Sequence, residues 1–230
     1  MVGKLHKRYI PLILIIVITI GIIISGCSIE ISKQNIEQQS AAGENMKKIA
    51  MIIAPRGYQD VEFGTPYTYF TDHGATVDVY STQKGTANGS LGGKVKVEHD
   101  LSELNVSNYN AIVFIGGPGT SLVRNDNNSI KIAKDSVNAG KVLGAICLSP
   151  TILAKAGVLK GKNATVWYGP DSELDMLTSE YLEKQGARYT SSDVTVDGNI
   201  ITADGPKSAL KYATEIWKKL TEKQQVQQLK

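Results

Sequence analysis

The chain has 230 residues, 42% of them hydrophobic and 20% charged, with a formal net charge of +3. That balance suits one ordinary globular domain with an extension, and it excludes an intrinsically disordered chain. The small net charge, with no Lys/Arg run beyond the first residues, excludes a nucleic-acid partner.

In chain order, the first thirty residues read as an address. Lys4, Lys7 and Arg8 form a basic start, Ile10 to Ile24 is almost wholly apolar, and Ile24-Ser25-Gly26-Cys27 follows. A basic segment, a short apolar segment and small residues at a cut make a secretory signal. The apolar segment, roughly 15 residues, is shorter than the roughly 20 a membrane span needs. The tetrapeptide resembles the lipobox of prokaryotic lipoproteins. That resemblance implies a lipid on the Cys27 sulfur and a domain anchored to the cell membrane on its extracytoplasmic side. Residues 28–47, rich in Gln, Ser, Asn and Glu, read as a flexible tether.

The domain expected over 48–222 opens on a buried strand, Lys48 to Ala54. A helix is predicted over Asp60 to His73, its path perturbed by Pro66, with Gly74 as its stop. Strands follow over Thr76 to Tyr80 and Lys94 to Val97, with a loop or hairpin between them. Ala111 to Ile115 is a buried strand ending at Gly116-Gly117-Pro118-Gly119. A helix over Asn128 to Ala139 leads to a strand over Lys141 to Ile146, then Cys147, then a helix over Pro150 to Ala156. The pattern continues with a strand over Ala164 to Trp167 and a helix over Leu174 to Gln185. A hairpin pivots on Asp197-Gly198-Asn199, and a closing helix covers Ala209 to Leu220. Residues 223–230 read as a polar, fraying tail. Alternating strands and helices predict an α/β fold, a mainly parallel sheet with helices on both faces and a site at the carboxyl ends of the strands.

Two strand ends carry the chemistry. Cys147 sits where a strand turns into a helix, which is the geometry of a nucleophile elbow. Helix-start N–H groups there favour a thiolate, so the thiol pKa is expected to fall. A buried structural cysteine is the alternative. The Gly116 to Gly119 turn serves any tight strand–helix connection. Beside an elbow, the N–H groups of Gly117 and Leu148 would also form an oxyanion hole. No set of His, Cys, Asp and Glu has metal-ligand spacing, and no phosphate loop is present, so no metal or cofactor is expected.

Gln59-Asp60-Val61-Glu62, Ala111 to Gly119, Ala145 to Pro150, Ala156 to Lys162, Val196 to Asn199 and Gly205-Pro206 together resemble the ThiJ/PfpI superfamily over roughly Lys48 to Lys219. The resemblance implies a flavodoxin-like three-layer sandwich and a homodimer or larger oligomer. It puts Cys147 on the family nucleophile. It also aligns Gln59 with a family glutamate, Leu148 with a histidine of PfpI-like members, and Trp167 with a histidine used by others. On this reading Gln59 hydrogen-bonds the sulfur at every pH. Glu62 is a substitute carboxylate, with a packing or interface role favoured. Trp167 and Tyr168 wall the pocket, and His73 and His99 are surface residues. Three functions compete. One is a cysteine-dependent hydrolase, peptidase-like or glyoxalase-like, with an incomplete catalytic set. Another is a redox-responsive protein using Cys147 oxidation. The third is a pseudoenzyme that binds envelope partners.

Overall fold

The computed structural model describes residues 46–228, with side chains through residue 222. The expected signal peptide, Cys27 and the tether up to residue 45 lie outside these residues. Among the described residues, no helix is long and apolar enough to cross a membrane.

From Lys47 onward the chain forms one unit. β1 (Lys48–Ile52) leads through β2 (Arg56–Tyr58) into α1 (Asp60–Asp72). β3 (Thr76–Ser81), the hairpin of β4 (Gly85–Gly89) and β5 (Lys94–Val97), and the short β6 (His99–Asp100) follow. Next come β7 (Ala111–Phe114), α2 (Thr120–Arg124), α3 (Asn127–Asn138), β8 (Val142–Ile146) and α4 (Pro150–Lys155). The last third holds β9 (Asn163–Ala164), the hairpin of β10 (Pro170–Asp171) and β11 (Met176–Leu177), α5 (Thr178–Lys184) and β12 (Arg188–Tyr189). It closes with β13 (Val194–Asp197), β14 (Ile200–Ala203) and α6 (Ala209–Gln228).

The central sheet has the order β13-β14-β8-β7-β1-β3-β6. Every neighbour pair is parallel except β13 with β14. A parallel strand covered on both faces has no solvent side, which is why β1, β7 and β8 read as unbroken apolar runs and are buried throughout after Lys48. α1 packs against α6 in one helical layer, while α2, α3, α4 and α5 pack among themselves in another. This is the expected α/β three-layer, flavodoxin-like sandwich. After β3 the chain returns to the other side of β1 to lay down β7. That reversal opens a crevice at the carboxyl ends of β1 and β7, where such sheets place their sites.

Four expectations change. The helix predicted over Leu174 to Gln185 begins only at Thr178, because Asp171 accepts hydrogen bonds from Glu173 N–H and Leu174 N–H and turns the chain into the β10–β11 hairpin. The strand predicted over Ala164 to Trp167 ends at Ala164, where β9 pairs with β12 instead of joining the central sheet. The closing helix runs to Gln228, through most of the expected polar tail. α1 also passes through Pro66 unbroken.

Candidate active site

Cys147 ends β8 with φ of 62°, a left-handed conformation that a side-chain-bearing residue adopts at a cost of about 1–3 kcal/mol. The surroundings hold it there. Its N–H donates to Ala203 C=O at 2.9 Å, and its C=O accepts from Trp167 N–H at 2.9 Å. Ser149, buried at the next turn, donates its hydroxyl to Ile115 C=O at 2.7 Å and ties the elbow to the end of β7. The N–H groups of Gly117 and Leu148 point at the sulfur. The glycine at 116 is a steric requirement. A Cβ there would lie 2.6 Å from Cys147 Cβ and 2.7 Å from Glu62 Oε2, with no room for either group.

Glu62 is the carboxyl that meets the sulfur. It is fully buried, and its Oε2 accepts from Gly116 N–H at 3.1 Å. Oε1 has no nitrogen or oxygen donor in reach, and the carboxyl is hydrogen-bonded to the Cys147 thiol. Burial lifts the Glu62 carboxyl from its ordinary 4.5 to about 7, against the lowering effect of the Cys147 and Gly116 hydrogen bonds. Burial, with the neighbouring Glu62 charge behind it, also pushes the Cys147 thiol up, and the Gly117 and Leu148 N–H groups offset only part of that rise. This corrects the expected fall in the thiol pKa. The N–H donors of Gly117 and Leu148 lower the thiol, but desolvation and a carboxylate outweigh them. Two acids confined together cannot both ionise easily, so they titrate as a unit and share one proton above neutrality.

Glu62, for which a packing or interface role is favoured, is the side chain that bonds the sulfur, and Gln59 caps the helix. Gln59 is the residue before the first turn of α1, and its Oε1 accepts from Glu62 N–H at 2.8 Å as a helix cap. The Gln59 amide, expected to donate to the sulfur, turns its oxygen to the helix, and the side chain hydrogen-bonded to the thiol is that of Glu62. Glu62, three residues on, projects toward the end of β8. The signal that could have separated them is helical phase. A cap folds back on its own helix, and the third residue of the first turn faces the sheet.

Cys147 and Glu62 line a cavity of about 490 Å³. Gln59, Gly117, Leu148 and Trp167 line it as well. Tyr168 does not. It is 63% exposed and stacks on Tyr189 with ring centroids 6.5 Å apart, which corrects its expected place in the pocket wall. Among the described residues, no histidine lines the cavity. His73 stacks on Tyr69 at the end of α1, and His99 lies beside Tyr80. Among the described residues no His, Cys, Asp and Glu cluster has the shape to hold a metal ion.

The sequence reading missed the opposite wall. Arg124, 1% exposed at the end of α2, donates from Nη1 to Asp171 at 2.7 Å and to Thr151 at 3.1 Å. Its Nη2 donates to Glu173 at 2.9 Å and to Asp171 at 3.2 Å. Burial pushes the Asp171 carboxyl up, but the hydrogen bonds and charge of Arg124 outweigh it and hold Asp171 below the usual range. Asp171 and Glu173 both face the cavity. No local pattern marks this cluster, because its partners lie 47 and 49 residues apart.

Known proteins share this arrangement's fold. An uncharacterized protein of Methanocaldococcus jannaschii is 40% identical over 207 residues, 89% of this chain and 94% of its own length. The deglycase PfpI of Pyrococcus furiosus is 31% identical over 170 residues, 74% of this chain and 98% of its own. The crystal structure of a ThiJ/PfpI domain protein from Brachyspira murdochii superposes with a TM-score of 0.70 at 28% identity, covering 77% of this chain and 98% of that one. The DJ-1/PfpI family model matches residues 47–219, the whole span from β1 into α6, and the chain therefore belongs to the DJ-1/PfpI family.

Proposed function

We propose that the protein is a cysteine-dependent enzyme acting on small reactive carbonyl groups, free or attached to an amine, with Cys147 as nucleophile and Glu62 as proton carrier. The observation that carries this reading is the buried Glu62 carboxyl hydrogen-bonded to the Cys147 thiol, with a pKa of about 7. A carboxyl poised there is a carbonyl chemist's acid and base in one group. In the tautomer with the proton on Glu62, the thiolate adds to the aldehyde carbon of a 2-oxoaldehyde and Glu62 protonates the new alkoxide. The carboxylate left behind removes the hydrogen from that carbon and returns it to the neighbouring carbon, while the hydroxyl proton passes to the second oxygen. The adduct becomes a thioester of a 2-hydroxy acid, and water cleaves it to restore the thiol. Electrons move only within the substrate. The N–H groups of Gly117 and Leu148 supply donors for the charge that develops. Peptide cleavage by a cysteine–histidine pair is disfavoured, because among the described residues no histidine lines the cavity. The name deglycase on the Pyrococcus furiosus relative agrees with a carbonyl substrate.

The test is turnover of 2-oxopropanal to the hydroxy acid. Cys147→Ser should abolish it, and Glu62→Gln should lower it by about 10²–10⁴-fold. A wild-type protein that forms no product, yet gains one or two oxygens on Cys147 under mild peroxide, would move the assignment to a redox-responsive protein. The membrane placement is part of the same proposal. It rests on the Ile24-Ser25-Gly26-Cys27 pattern after a basic and apolar start. The protein should partition into a detergent phase, and Cys27→Ser should abolish lipid attachment. Equal partitioning of the two would end the lipid-anchor assignment.

A further inference from the structure

We infer that the Cys147 cavity selects substrates bearing a cationic group, an ammonium or a guanidinium, held between the Asp171–Glu173 wall and the Trp167 ring. This deepens the proposed function and rests on Cys147 being the reacting atom. Every ionisable side chain that lines the cavity is an acid, namely Glu62, Cys147, Asp171 and Glu173. Among the described residues, no lysine, arginine or histidine lines it. The neighbouring cation, Arg124, is sealed behind the wall at 1% exposure, and both of its terminal nitrogens are spent on the two carboxylates and Thr151. Arg124 offsets one of the two carboxylate charges, and Lys155 reaches the cluster only through Asn125, so the wall of the cavity keeps a negative bias.

The geometry suits a cation in three further ways. The Glu173 side chain is 37% exposed, and although Oε2 accepts from Arg124 and Oε1 from Asn125, each carboxylate oxygen has a second lone pair to offer a ligand. Trp167, 39% exposed and lining the same space, offers an aromatic face of the kind that holds Lys or Arg groups. The apolar lining from Leu148, Pro118, Pro170 and Pro206 lowers the local dielectric and strengthens the field of these groups. A carbonyl compound that also carries a free ammonium or guanidinium group has the matching charge. A phosphorylated or carboxylate-bearing carbonyl has the opposing one.

The experiment uses the full chain and two thiol reagents of similar size, 2-aminoethyl and 2-sulfonatoethyl methanethiosulfonate. Cys147 modification is followed on its peptide by mass spectrometry, and each rate is divided by the rate of the same reagent with 2-mercaptoethanol. The cationic reagent should win by about tenfold or more at low salt, and the ratio should shrink several-fold in 1 M salt and in Glu173→Gln. Equal normalised rates, or a ratio unchanged by both salt and Glu173→Gln, would overturn the charge selection alone. A Cys147 that reacts with neither reagent would overturn this inference and the proposed function together.

Discussion

Two carboxyl groups line one cavity, and their environments drive them in opposite directions. Glu62, on the inner wall, has no cation beside it and only Gly116 N–H and a thiol to bond, so burial lifts it to about 7. Asp171, on the outer wall, is also partly buried, but two nitrogens of Arg124 hold it ionised. The difference teaches that burial alone does not determine the charge of a site. The presence or absence of a guanidinium decides whether a carboxyl becomes a proton carrier or a fixed charge. Pairs of titratable groups pushed apart in this way mark the division between acid–base work and electrostatic work.

Removing the guanidinium is the larger perturbation. Arg124→Met should leave Asp171 and Glu173 without their partner, at a cost of about 3–5 kcal/mol in unfolding free energy. Denaturant titration reads this, and a loss under 1 kcal/mol would show that the ion cluster is not what holds the β10–β11 hairpin. The loss should also be pH-dependent. Asp171 is depressed in the folded state, so its contribution is present above its unfolded pKa and disappears as pH falls through its folded one.

The opposite sign is expected on the inner wall. Glu62 is raised in the folded state from 4.5 to about 7. Its contribution to stability is therefore full below about pH 4.5 and is lost as pH rises through about 7. Glu62→Gln removes that loss, so the variant should gain on the order of 2–3 kcal/mol over wild type between pH 4 and pH 8, while its turnover collapses. Parallel stability curves for the two proteins over that range would sink the assignment of a raised Glu62.

Much of the fold was legible from the chain because burial on both faces leaves a plain mark. The runs at Lys48 to Ile52, Ala111 to Phe114 and Val142 to Ile146 are strands for that reason, and Asp197-Gly198-Asn199 turns as its residues demand. Cys147 was legible as an elbow from its place between a buried strand and a proline-started helix. What stayed hidden depends on phase and on distant pairing. Gln59 and Glu62 differ by one helical turn, and only the direction of each side chain separates a helix cap from a partner of the sulfur. The β10–β11 hairpin exists because Asp171 turns the chain locally while an arginine 47 residues earlier holds it, and no window of sequence contains both ends of that pair.

The position of Trp167 also gives the molecule a built-in optical reporter. The chain has two tryptophans. Trp167 lines the cavity with its backbone N–H on the Cys147 carbonyl, whereas Trp217 lies on α6 beside His73, with ring centroids 5.3 Å apart. Indole emission follows the polarity around the ring, so filling the cavity changes the light from Trp167 and leaves that from Trp217 as an internal standard. Occupancy, charge selection and covalent capture at Cys147 can thus be watched in real time by fluorescence, without attaching a dye.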